Sequence, residues 1–145
     1  MNYPIIKEQF KSQPSVVLEQ SLPIIEKLEK GETVEDVPQL LYSIFRPSIQ
    51  PYIISWFKYD PQKEIAKLTN PILIIQGTTD IQVSVSDAEK LASANEKAGM
   101  QIIEGMNHIL KEAELDRGKN IATYSMPDLQ LKEGLMKIIV EFINK

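Results

Sequence analysis

Residues 71–83 read Pro-Ile-Leu-Ile-Ile-Gln-Gly-Thr-Thr-Asp-Ile-Gln-Val. Ile72 to Ile75 form an unbroken aliphatic run that ends near Gly77. A run apolar on both sides reads as a buried strand of a parallel sheet. Beyond it, Ser86-Asp87-Ala88-Glu89 has the spacing of a capping box. That spacing opens a helix to about Lys97, with Gly99 just past its end. Met100 to Glu104 reads as a second short strand closing at Gly105. Strand, helix and strand in this order define an α/β unit with two parallel strands.

Outward from this unit the pattern is helical. Leu135, Ile138, Ile139 and Phe142 mark an amphipathic C-terminal helix. Residues 111–127 lack periodicity and read as a loop with one helical turn. Upstream, Asp60-Pro61 is an N-cap followed by proline at the first helical position. The chain before it reads as helices broken by prolines. Val17, Leu18, Leu22, Ile25 and Leu28 recur at helical spacing, and Gly31 supplies a C-cap. Pro23 inside this run predicts a kink or two short helices. The division expected is 1–59 as a helical segment and 60–145 as the α/β segment.

The composition narrows the function classes. With 145 residues the chain has the length of one domain. Cysteine is absent, which excludes disulfides, thiolate metal sites and cysteine nucleophiles. His108 is the sole histidine, so zinc sites built from several histidines are excluded and no metal or cofactor is expected. Sixteen basic against 20 acidic residues give a net charge of −4, with both signs interspersed. Nucleic-acid backbones require a basic stripe, so no nucleic-acid partner is expected. No apolar run approaches a membrane span, and a cytoplasmic location is the expectation.

Two side chains stand where chemistry gathers in open α/β sheets, at the carboxyl ends of the strands. Asp80 lies three residues after Gly77, and His108 three residues after Gly105. Adjacent strands are about 4.8 Å apart, so loops leaving the same edge can bring the two together. A carboxylate would then hold the Nδ1–H of the imidazole and leave Nε2 to move a proton. The same residues also fit plain structural roles: Asp80 can close a turn, and an isolated loop histidine can simply face solvent. Gln76 lines this edge or merely ends the strand. Thr78 and Thr79 shape the turn, and Met106 and Asn107 flank the histidine.

Residues 71–83, together with Gly105-Met-Asn-His108, resemble the late strand, acid loop and histidine loop of the α/β-hydrolases. Among them the likeness is to bacterial serine hydrolases of the serine aminopeptidase and monoacylglycerol-lipase type. It runs from about Asp60 to the end of the chain. The resemblance implies a C-terminal part of an α/β-hydrolase fold, with residues 1–59 as the helical cap. It assigns Asp80 and His108 as acid and base of a catalytic triad acting on a small-molecule ester or amide. The nucleophile elbow G-x-S-x-G of that family occurs nowhere in these 145 residues. The expectation is therefore a hydrolase fragment, inactive alone, whose nucleophile lies outside the chain. Ser84 and Ser86 lie near Asp80 without the strained elbow that exposes a nucleophile, and Ser86 suits a helix N-cap better.

The aromatic stretch Tyr52 to Tyr59 has two readings. Tyr52 and Trp56, with Tyr59 and beside Phe45 and Phe57, would line a substrate cavity under the cap. Alternatively they pack the cap against the sheet, as aromatics at helical spacing usually do. A different class of function also fits: a non-catalytic, hydrolase-derived module that binds a partner or itself. Two strands with open edges would pair with a second copy, or with an N-terminal fragment.

Overall fold

The computed structural model describes residues 14–144. The part of the cap expectation that covers residues 1–13 lies outside the described residues. The chain divides into two compact units, the first ending at Glu64 and the second starting at Ile65.

The described part of the first unit is helical. Helix α1 spans Ser15–Glu29 without interruption, so the expected break at Pro23 does not occur. Proline lacks the N–H that would bond the Glu19 carbonyl, but Glu19 and Pro23 are both exposed, where water can take that role. Ile24, Ile25 and Leu28 are buried, and their packing outweighs the missing bond. The helix ends as expected at Gly31, which has φ +82°. Glu32 N donates to Lys27 O and Gly31 N to Leu28 O, both at 3.0 Å, the pairing of a Schellman cap.

Short helices follow: a 3-10 turn at Gln39–Leu41, α2 at Tyr42–Phe45, a second 3-10 turn at Pro47–Ile49, and α3 at Gln50–Trp56. Their apolar sides join α1 in a core of Ile24, Ile25, Leu28, Leu41, Phe45, Ile53 and Phe57, with Val37 at its margin. Gln50 is fully buried in this unit. Its side chain accepts from Val34 N at 2.7 Å and donates to Val34 O and Phe45 O, each at 2.7 Å. Helix α4, Pro61–Ala66, begins as expected, with Asp60 Oδ1 accepting from Gln62 N and Lys63 N.

The second unit is built on strand β1, Ile72–Gly77, helix α5, Val85–Ala94, and strand β2, Ala98–Ile103. The strands pair in parallel, with Ile72 opposite Ala98 and Gly77 opposite Ile103. The fold class is thus mixed α/β with a two-stranded parallel sheet. Four details differ from the sequence reading. Helix α5 ends at Ala94 rather than about Lys97, and Gly99 lies inside β2. Strand β2 starts at Ala98 rather than Met100, because the ladder begins where Ile72 finds a partner. Helix α5 is capped by Ser84, not Ser86, and Asp87 completes the capping box. Ile72 to Ile75 are only half-buried, because β1 has one strand neighbour among the described residues.

Residues 111–127 hold more structure than a loop: helix α6 at Arg117–Ala122 and a 3-10 turn at Thr123–Ser125. Asp116 caps α6 by accepting from Lys119 N at 2.9 Å. Helix α7, Leu135–Ile143, carries the expected apolar stripe. Leu135 is buried with Ile103 and Met106, and Ile138, Ile139 and Ile75 pack against them. No helix among the described residues is long and apolar enough to cross a membrane.

Candidate active site

The loops leaving β1 and β2 are knitted together by their backbones. Thr78 N donates to Ile103 O at 3.1 Å, and Thr79 N to Met106 O at 3.2 Å. Gly105 N returns a bond to Thr78 Oγ1 at 2.9 Å. This stitching places Asp80 and His108 side by side. His108 Nδ1 lies 2.9 Å from Asp80 Oδ2.

Asp80 is held on both carboxylate oxygens. Oδ1 accepts from Gln82 N at 2.7 Å and Val83 N at 2.9 Å. Oδ2 accepts from Gln76 Nε2 at 3.1 Å as well as facing His108. Its side chain is only 7% exposed, against 40% for His108. Burial alone would raise the carboxyl pKa. The Val83 and Gln82 amides, then His108 and Gln76, oppose that and hold it below the ordinary aspartate value. An ionised carboxylate only accepts, so Nδ1 must carry the proton of the neutral ring. Nε2 is then the free lone pair on a partly exposed imidazole.

The turn-closing role of Asp80 and its contact with the histidine are therefore both present in one side chain. Gln76 does more than end the strand: its amide also donates to Val83 O at 3.0 Å, fixing the acid loop from beneath. A glutamine at the end of an apolar run was its only signal in the sequence.

The histidine loop is closed on itself. Asn107 N donates to Lys111 O at 2.9 Å, and Lys111 N to Asn107 Oδ1 at 3.0 Å. Leu110 has φ +63°, unusual for a side-chain-bearing residue. Its N–H donates to Asn107 O at 3.0 Å, and its carbonyl accepts from Lys132 N at 2.8 Å. Asn107 and Asn120 are buried, at 1% and 0% exposure. Sequence reasoning gave Asn120 no part in the site, since a polar residue in an aperiodic segment leaves no pattern to read.

The serines near Asp80 are engaged elsewhere. Ser84 Oγ donates to Asp87 Oδ2 at 2.8 Å, and Ser84 and Ser86 hydroxyls are 2.8 Å apart. Ser86 is not the cap expected of it, because the helix starts at Val85, two residues before the Asp87 that a Ser86 cap would make first. Tyr52 and Trp56 belong to the first unit, at 63% and 47% exposure. Their rings pack edge to face, with centroids 4.7 Å apart. They do not enter that unit's core, which takes Ile53 and Phe57 from the same stretch. Phe45 and Phe57 are buried in that core rather than lining a cavity. Among the described residues no cluster of three or more histidine or acidic side chains could hold a metal. No family model matches the chain, and no curated protein matches it.

Proposed function

We propose that Asp80 and His108 are the acid and base of a hydrolytic site of the α/β-hydrolase type, cleaving an ester or amide bond. The carrying observation is the 2.9 Å contact between His108 Nδ1 and the buried, ionised Asp80, at the carboxyl edge of two parallel strands. In this reading Asp80 fixes the Nδ1–H tautomer and stabilises the imidazolium. Nε2 takes the proton of an attacking hydroxyl and returns it to the leaving group. The attacking group comes from outside these 145 residues, which contain no G-x-S-x-G. Residues 1–59 are the cap of such an enzyme, with Tyr52 and Trp56 exposed on it.

The test uses activated esters and a fluorophosphonate probe. The chain alone should neither turn over the ester nor take the label. A longer protein that places a G-x-S-x-G segment before this chain should do both. In it, His108→Ala should cost on the order of 10⁶-fold in kcat. Hydrolysis indifferent to His108→Ala would sink the reading.

One observation favours a second reading, a non-catalytic association module. Among the described residues β1 and β2 pair only with each other, which leaves an outer edge on each strand. Light scattering decides it: a monomer at all concentrations rules out self-association.

A further inference from the structure

We infer that Asn120 is a positioning residue that clamps the acid loop to the histidine loop and so sets the Asp80–His108 contact. Its side chain is wholly buried, and every bond it makes is specific. Nδ2 donates to Thr79 O at 2.8 Å and to Glu114 O at 2.9 Å. Oδ1 accepts from Asn107 Nδ2 at 3.4 Å. Thr79 directly precedes Asp80, and Asn107 directly precedes His108. One amide therefore grips the backbone before the acid and the side chain before the histidine.

The chemistry selects this residue type. Two carbonyls face Nδ2, so the amide cannot be flipped without setting oxygen against oxygen. Aspartate has no donors for them and would bring a buried charge. Leucine would leave the buried Thr79 carbonyl without this donor and would release the Glu114 carbonyl as well. Thr123 braces the clamp. Its hydroxyl donates to Asn120 O at 2.6 Å and accepts from Asn107 Nδ2 at 2.8 Å. Helix α6 thus contributes hydrogen bonds to the site instead of an apolar stripe.

The inference rests on the acid–base reading for its catalytic consequence, but its test needs no turnover. Long-range ¹H–¹⁵N correlation spectra of the ¹⁵N-labelled chain, taken above the imidazole titration range, report which nitrogen of His108 carries the proton. Wild type should show the Nδ1–H form. Asn120→Ala, checked for folding by its amide spectrum, should lose that signature and acquire the Nε2–H one. Thr123→Val should shift the balance the same way by less. Arg117→Ala, on the exposed face of the same helix, should change nothing. A folded Asn120→Ala that keeps the wild-type tautomer overturns the clamp and leaves the acid–base reading standing. If Asn120→Ala does not fold, an unchanged tautomer in Thr123→Val overturns it equally. A wild-type ring protonated on Nε2 overturns the acid–base reading first, and the clamp with it.

Discussion

Gly77 lies directly beneath the Met106 carbonyl. A Cβ on residue 77 would stand 1.9 Å from Met106 O and 2.5 Å from its carbonyl carbon. These are backbone atoms, so no side chain can swing aside. The acid loop and the histidine loop approach this closely only because position 77 has no side chain. Gly77→Ala should therefore destabilise the second unit by about 3 kcal/mol or more, read as a lower urea midpoint. It should also separate Asp80 from His108, seen as loss of the Nδ1–H signature in whatever fraction remains folded. A variant of wild-type stability would refute the close approach.

Asp80 gives the chain a defined acid response. Its carboxyl titrates below the ordinary aspartate value in the folded chain, because the Val83 and Gln82 amides, His108 and Gln76 outweigh the effect of burial. The unfolded chain, with an ordinary value of about 3.9, takes up the proton first as pH falls. The stabilisation from Asp80 is thus complete above that value and is lost as pH drops through the lower, folded one. Urea unfolding of wild type and Asp80→Asn from pH 7 to pH 2 measures this. The gap between the two should shrink as pH falls through the acid range below that ordinary value. A gap that does not depend on pH would contradict it.

Thr79 carries a buried hydroxyl with no hydrogen-bond partner among the described residues. Its backbone holds the loops together, but its Oγ1 was desolvated without return. Thr79→Val keeps the shape and removes the orphaned group. It should raise stability by about 1 kcal/mol, read as a higher midpoint at unchanged slope. A loss of stability would mean that the hydroxyl has a partner after all.

In the helical unit, Gln50 joins Val34 N, Val34 O and Phe45 O through one side chain. Gln50→Leu retains bulk and removes all three bonds from a fully buried position. It should cost about 3 kcal/mol, with far-UV circular dichroism of the folded form unchanged. A neutral effect would show that water replaces the amide.

The sequence made the parallel pair legible because aliphatic runs, glycines and strand-edge polar residues are local signals. Asp80 and His108 could be placed at one edge from strand spacing alone. The start of α5 could not, since Ser84 and Ser86 each stand three residues before an acidic side chain. The earlier box is the one that forms, with Val85 as the first helical residue. The start of β2 depends on where Ile72 pairs, a property of another strand. Gln76, Asn107 and Asn120 were illegible as a set. Amides whose bonds span separations from 1 to 41 residues obey no periodicity, and their partners are mostly backbone atoms that every residue possesses.

The closed loop around His108 has an energetic consequence for whatever meets that ring. Residues 107–111 are cinched by bonds at both feet, and the left-handed Leu110 is held from outside by Lys132. The conformational entropy of this backbone is surrendered during folding. The ring on this pedestal is itself held at Nδ1 by Asp80. An encounter at Nε2 therefore meets an imidazole whose backbone and ring are already placed, and ordering it for chemistry demands almost no further loss of freedom.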